Sequence, residues 1–371
     1  MNNIKHISLM DIPGQYKLVE KEVLPKIREV LESGRYIMGS EVTKFENDFA
    51  KFCNAKYCIG TSSGTESLYL SLLTLDIGVG DEVITVPNTF TATAEVIVLV
   101  GATPVFADID PKTANLDPKS LASKITNKTK AVIPVHLHGN PVDLDKIYKI
   151  AKPKNIAVIE DAAQAHGAKY KEKIIGSHLS EFVCFSFHPV KNLGAFGDAG
   201  AVVTNNEKFE QVLRKLSNHG REDHYFHTRV GTTGRLDAIQ GAILDIKLKY
   251  LKAWIKQKAK LVAYYKKRLG GICKFIEITK GGESGHHIFA ILTKDRESLA
   301  KFLKKNGIET GVHYPTPLHL QPAYKFLGYK KGDFPKAEQY ANETLSLRLY
   351  PHMSFSQIDY VASKIYQFYG K

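Results

Sequence analysis

The chain has 371 residues, 43% hydrophobic and 24% charged, and its 51 Lys and Arg against 38 Asp and Glu leave a formal charge of +13. That length suits two domains, and that composition excludes a disordered chain, a collagen-like repeat and a small disulfide scaffold. The longest nearly uncharged apolar stretch, VIVLVGATPVFA at residues 96–107, is about half the length of a membrane helix and holds Gly101 and Pro104, so no membrane span is expected.

From the N-terminus, MNNIKHISLMDIPGQY has no apolar core before a small-residue cleavage site, so it does not read as a signal peptide. Helical periodicity starts after Pro13-Gly14, runs through YKLVEKEVLPKIREVLESG and stops at Gly34; a second helix, EVTKFENDFAKFCNA, follows Gly39-Ser40. Short strands then alternate with helices: KYCIGTSS before GTESLYLSLLTL, DEVITVP before TATAEVIVLVGA, then PVFADID, KAVIPVHLHG with a short helix from Asp143, and NIAVIEDA before a turn. FVCFSFHP and GAVVTN stand close enough to be adjacent strands. Apolar runs bounded by Gly and Asp, with intervening helices, predict an α/β fold built on a mostly parallel sheet covered on both faces.

The rhythm changes near residue 245, where a Lys-rich helix over residues 242–269 leads into strands at KFIEI and HHIFAIL and helices at RESLAKFLKKNG and SFSQIDYVASKIYQFY. The expected division is a large domain over 1–245 and a smaller C-terminal α+β domain over 246–371. Residues 247–268 carry nine basic residues and no acidic one, which reads as a solvated helix whose lysine stems cover apolar surface. No RNP, zinc-finger or helix-turn-helix signature points to nucleic acid. Cys53, Cys58, Cys184 and Cys273 form no CxxC pair, so the expectation is a reduced, cytoplasmic protein with no metal site.

Two residues carry the chemistry. Asp161 follows the strand pattern of NIAVIEDAAQAHGA, and Lys191 follows that of FVCFSFHPVKNLGAFGDAGA. Ligands of open α/β sheets collect at the carboxyl ends of strands. A lysine there can form a Schiff base, and a carboxylate can pair with a protonated pyridine nitrogen, which together suit pyridoxal phosphate. GTSSGTESL runs from strand into helix, so amides around Ser63, Gly64 and Thr65 can meet a phosphate at a helix N-terminus, and Ser186 can add a hydroxyl. Phe90, just past a strand end, offers a surface to cover a planar ring. Neither GxxxxGK[ST] nor a GxGxxG after a strand is present, which removes the usual motifs of nucleotide hydrolysis and dinucleotide redox chemistry.

The segments SGRYIMGSEVTKFENDFAKF, GTSSGTESL, DEVITVPNTFTATAEVIVLVGATPVFADID, PVHLHG, VIEDAAQAHGA, SFHPVKNLGAFGDAGAVVTN, NHG, GRLDAIQGAIL and HYPTPLHLQPAY occur in this order. In them the chain resembles the fold-type-I pyridoxal phosphate aminotransferases that act on nucleotide-linked keto-sugars (the DegT/DnrJ group). The resemblance implies that Lys191 carries the cofactor, Asp161 holds the pyridine nitrogen and Gln164 contacts the ring hydroxyl. It also implies that Gly64, Thr65 and Ser186 hold the phosphate and that Phe90 covers the ring. A dehydratase branch has histidine at the Lys191 position, so the lysine implies transamination, with the cofactor alternating between pyridoxal and pyridoxamine phosphate.

By the same resemblance the protein is a homodimer with shared active sites, and GRLD lies at its interface. The family pattern G-x-N-x-R-L-D is met here by VGTTGRLD, so Thr233 stands where an asparagine reaches the partner's phosphate, beside Arg235 and Asp237. Arg348, in LSLRLYP, stands where many relatives have proline. KNLGAFGDAGA and HYPTPLHLQPAY resemble most the enzymes aminating a dTDP-3-keto-6-deoxyhexose with L-glutamate, which implies deoxyamino sugar synthesis for an O-antigen or S-layer glycan. His188, His313, Tyr314 and His319 are the candidate substrate contacts. The alternatives are the same chemistry at C4, a UDP-linked 3-keto uronic acid, or a non-catalytic regulatory protein on this fold.

Overall fold

The computed structural model describes residues 7–177 and 179–370; the first six residues of the N-terminal stretch read above lie outside them. The N-terminal helical region is two helices, α1 (Ile12–Lys17) and α2 (Glu20–Ser33), followed by α3 (Ser40–Cys53). The alternating region is β1 (Tyr57–Thr61), α4 (Gly64–Thr74), β2 (Glu82–Thr85), α5 (Ala92–Leu99), β3 (Thr103–Phe106), α6 (Pro118–Lys124), β4 (Thr129–Val132), α7 (Leu144–Ala151) and β5 (Ala157–Asp161). A hairpin of β6 (Lys169–Tyr170) and β7 (Lys173–Ile174), then β8 (Phe182–Ser186), β9 (Gly200–Thr204) and α8 (Glu207–Leu216), completes the first part.

These strands form a seven-stranded sheet of order β1-β9-β8-β5-β4-β2-β3. Strands β3, β2, β4, β5 and β8 pair in parallel, and β9 runs antiparallel to both β8 and β1. The mostly parallel sheet is therefore observed, and FVCFSFHP and GAVVTN are neighbours within it. Parallel strands need cover on both faces, which explains why their central residues Ile84, Val132, Val158 and Val183 are apolar and buried.

Helix α9 (Ala238–Leu269) begins four residues before the expected Ala242 and passes unbroken through residue 245. It supplies Leu244 and Leu251 to the large core, and Leu261, Val262, Tyr265 and Leu269 to a second core. That second core also takes residues from β12 (Phe289–Leu292), α10 (Arg296–Lys305), β13 (Thr344–Leu347) and α12 (Phe355–Phe368). The strand expected at KFIEI is only β10 (Lys274–Phe275), which pairs with β12; β11 (Gly282–Glu283) pairs with β6, and α11 (Pro335–Glu343) precedes β13. Strand β13 was not among the expected strands: its four residues, TLSL, alternate in polarity but are too short a run to stand out, and both faces are buried. Arg348, just after it, is fully buried; its Nε donates to the carbonyl of Glu309 at 3.2 Å, and Glu309 in turn accepts the Leu9 amide at 2.7 Å. Among the described residues no helix is long and apolar enough to cross a membrane.

Candidate active site

The carboxyl ends of the parallel strands open on one edge of the sheet, and a cavity of about 510 Å³ lies there. Its lining brings together Ser63, Gly64 and Thr65 after β1, Phe90 after β2, Asp161 at the end of β5 with Gln164 beyond it, and Ser186 at the end of β8 with His188 and Lys191 beyond it; His313 and Tyr314 close it from the C-terminal part.

Asp161 is 6% exposed. Its Oδ2 accepts from the Thr93 hydroxyl at 2.8 Å and its Oδ1 from the Ala163 amide at 3.1 Å, so the carboxylate is oriented from two sides. Thr93 lies 3.0 Å from the Thr89 hydroxyl, which extends this polar path. Gln164 Oε1 accepts the His138 amide at 2.7 Å, and its Nε2 donates to the Tyr314 hydroxyl at 3.3 Å.

Lys191 opens onto the cavity and is half-buried by area, yet desolvation lowers its amine to about 8, with the Asp161 carboxylate a smaller opposing influence. A lysine so placed holds a useful neutral fraction near neutral pH and can act as a nucleophile or a base. Ser63 caps α4 by accepting the Glu66 amide at 3.0 Å, which leaves the first amides of the helix facing the cavity. Gly64 is there because of close approach: a Cβ would sit 2.5 Å from the Cβ of Ser186. The glycine thus lets a helix N-terminus and a strand-end hydroxyl converge as an anion cradle. Phe90 is 55% exposed, with its ring 5.9 Å from that of Tyr314. This set fits pyridoxal phosphate: an anion cradle, a buried carboxylate about which donors are ordered, an amine with no ion-pair partner among the described residues, and an aromatic wall.

One expected residue lies elsewhere. His319 does not line the cavity; it is buried against the Phe334 ring, with Nε2 3.0 Å from Glu338. The short helical turn Leu318–Leu320 directs it there, away from His313 and Tyr314 in the same loop. Thr233 is exposed, and its hydroxyl accepts from Arg235 at 3.0 Å; Arg235 also donates to Asn218 at 2.9 Å. Conversely, Met10, Thr93, Asp198 and His287 line the cavity without having been singled out. Thr93 was detectable only as a hydroxyl in the first turn of α5, and His287 only as half of the HHIF pair.

Residues 17–366 match the sequence profile of the DegT/DnrJ/EryC1/StrS aminotransferase family. The chain is 42% identical to a pleiotropic regulatory protein of Geobacillus stearothermophilus, covering 98% of this chain and 99% of that one. It is 40% identical to the UDP-2-acetamido-2-deoxy-3-oxo-D-glucuronate aminotransferase of Pseudomonas aeruginosa, covering 97% and 99%. It is 42% identical to the dTDP-3-amino-3,6-dideoxy-alpha-D-galactopyranose transaminase of Aneurinibacillus thermoaerophilus, covering 98% of each. The crystal structure of S. venezuelae DesV in complex with a ketimine intermediate superposes with a TM-score of 0.97 at 37% identity, covering 99% of each chain. That of NtdA from Bacillus subtilis with bound cofactor PMP gives 0.92 at 28% identity, covering all of this chain and 86% of that one.

Proposed function

The chain belongs to the DegT/DnrJ/EryC1/StrS aminotransferase family and is a pyridoxal phosphate-dependent aminotransferase, and from that premise we propose that it acts on nucleotide-linked keto-sugars with Lys191 as its cofactor-bearing and catalytic residue. The observation that carries this reading is the convergence, in one cavity, of Lys191, a buried and doubly hydrogen-bonded Asp161, and the Gly64–Ser186 cradle. Pyridoxal phosphate, when bound, supplies an electrophilic carbonyl and a ring that stabilises negative charge on a carbon losing its proton.

In this reading each residue has a physical task. Lys191 Nζ, poised near pH 8 by burial, forms the covalent link and, once released, takes and returns the proton as a single acid/base group. Asp161 provides the negative charge that keeps the pyridine nitrogen protonated. Amides of Gly64 and Thr65, with the hydroxyls of Ser63 and Ser186, bind the phosphate; Gln164 contacts the ring hydroxyl; Phe90 covers the ring face and excludes water. His188 at the mouth, with His313 and Tyr314 opposite, contacts substrate. Burial lowers His313 to about 4 and its Nδ1 lies 2.8 Å from the Ser346 hydroxyl, so it serves as a neutral hydrogen-bonding group.

For the acceptor we propose a dTDP-linked 3-keto-6-deoxyhexose, with L-glutamate as donor. The resemblance of KNLGAFGDAGA and HYPTPLHLQPAY supports it, as does the 42% identity to a transaminase named for a dTDP-3-amino-3,6-dideoxyhexose. The second reading, a UDP-linked 3-keto uronic acid, rests on the 40% identity to the Pseudomonas enzyme. One carbon should be strongly preferred, because a displacement of about 1 Å at a reacting atom can cost roughly a hundredfold in rate. NMR of the product made from enzymatically generated keto-sugar should show nitrogen on C3 of the dTDP-linked hexose. Nitrogen on C4, or a rate ten or more times higher with the UDP-linked uronic acid, would replace this acceptor. The regulatory protein among the relatives raises a non-catalytic reading; a scaffold has no need of the cradle or of the oriented Asp161, which favours the enzyme.

We further propose a homodimer in which the 218–235 segment, with Thr233, reaches the partner's cofactor phosphate. Tyr225 (92% exposed) and Val230 (95% exposed) in this segment are apolar side chains that an interface would cover. Sedimentation velocity should give a dimer at working concentration. A monomer with full activity would refute shared sites.

A further inference from the structure

The lysine-rich helix α9 does not solvate all of its lysines. Lys258 is 5% exposed and Lys247 2% exposed, and both turn inward. They stand eleven positions apart, three turns along one face, and that face looks onto the loop that follows β8. Lys258 Nζ donates to Asn192 Oδ1 at 2.7 Å and to the His287 carbonyl at 3.3 Å. Lys247 Nζ donates to the Gly194 carbonyl and, at 3.2 Å, to Gln15 Oε1. Burying an ammonium without a carboxylate partner is costly; burial alone lowers Lys258 to about 7 and Lys247 to about 8. An apolar residue of similar length would fill the same space without that penalty.

The loop itself is tightly closed. The Lys191 amide donates to the His188 carbonyl at 2.8 Å, and the Ala195 amide to the Phe187 carbonyl at 2.7 Å. A Cβ on Gly194 would lie 2.4 Å from the Pro189 carbonyl oxygen. Asn192, the residue after Lys191, is 6% exposed, and its Nδ2 donates to the Gly285 carbonyl at 2.6 Å. Its amide is thus held at both ends, by Gly285 on one side and Lys258 on the other. Lys258 and Asn192 do not line the large cavity; they line a separate pocket of about 30 Å³ behind Lys191, too small for a sugar nucleotide. His166, His286 and His287 face Lys258 closely enough to feel its charge, and Lys191 and Asp11 line the same rear pocket.

We propose that Lys258 is a positioning residue for Lys191, acting through the Asn192 side chain to fix the loop that presents the Lys191 amine to the cavity. The inference rests on the assignment of the cofactor to Lys191. Lys258 lies outside the large cavity, so its effect should appear in the geometry of the bound cofactor and in kcat, not in substrate affinity.

The test compares purified holoenzymes of the wild type, Lys258→Met, Asn192→Ala and the double variant. Two quantities are read: the circular dichroism of the cofactor absorption band per bound cofactor, and kcat and KM for L-glutamate. Lys258→Met should lower kcat about tenfold or more, leave KM within about twofold, and reduce the cofactor band by half or more. Because the effect passes through Asn192, the double variant should be no more than about twofold slower than the slower single variant. Rate losses that multiply, or a Lys258→Met enzyme with wild-type kcat and wild-type cofactor band, would overturn the proposal. Should Lys258→Met fail to fold, Asn192→Ala decides alone: wild-type kcat and cofactor band in it would overturn the proposal. A wild-type adduct mapped to another lysine removes the assignment and this inference together. An adduct on Lys191 with an inert Lys258→Met removes only this inference.

Discussion

Asp161→Asn is expected to retain the fold and bind cofactor while losing at least about a hundredfold in kcat, the scale on which a single oriented electrostatic group acts in a desolvated site. The substitution keeps the size and one acceptor oxygen. The Thr93 hydroxyl, now 2.8 Å from Oδ2, can rotate to accept from the new amide, and the Ala163 amide can still donate to the remaining oxygen. What is lost is the negative charge at the end of β5. Without it the ring nitrogen is not held protonated, and charge released from the substrate carbon has no sink. Circular dichroism in the far ultraviolet and cofactor stoichiometry would report the unchanged fold and binding, and steady-state rates the loss. A variant turning over at near wild-type rate would make the carboxylate a structural group that merely orders Thr93.

Acid should unfold the protein well above the pKa of ordinary carboxylates. Burial lowers His138 and His166 to about 3 and His286 and His313 to about 4, and it holds His287 well below 6.5. Each is therefore neutral in the folded chain at pH values where the unfolded chain binds a proton. Stability rises with pH wherever the unfolded state binds more protons, so this contribution is complete above 6.5 and is lost as pH falls from 6.5 toward 4 for His286 and His313 and on toward 3 for His138 and His166. Each such histidine contributes up to about 1.4 kcal/mol per pH unit in that window, and five of them together cost on the order of 5 kcal/mol or more by pH 5. Glu46, raised by burial, pulls the opposite way as a single group. Urea unfolding should show a clearly lower midpoint at pH 5 than at pH 7. An equal or higher midpoint at pH 5 would mean that these imidazoles find proton-accepting partners in the folded state.

The strand ends were legible because Asp161 and the SFHP segment sit where apolar runs stop, and a parallel sheet gathers such stops on one edge. The phosphate cradle was legible from a Ser-Gly-Thr turn between strand and helix. The donor to Asp161 was not: Thr93 lies sixty-eight positions away on α5, and only the pairing of β2 with β4 and of β4 with β5 brings it there. His319 shared a loop with His313 and Tyr314, yet three residues of tight helix turned it against Phe334 and Glu338. The lysines of α9 misled for a physical reason. A lysine that covers apolar surface with its stem and one that buries its ammonium occupy the same inward-facing positions of a helix, and only the partner at the tip separates them. Lys258 finds Asn192 there, and Lys247 finds Gly194.

The central claim is that Lys191 forms the covalent bond to pyridoxal phosphate. Borohydride reduction of the purified holoenzyme, followed by protease digestion and mass mapping, tests it directly. A fixed phosphopyridoxyl group is expected on the peptide containing SFHPVKNLGAFG, on Lys191 and in nearly stoichiometric amount, with Lys191→Ala neither labelled nor active. A label on any other lysine, or an unlabelled wild-type protein that still transaminates, would contradict it.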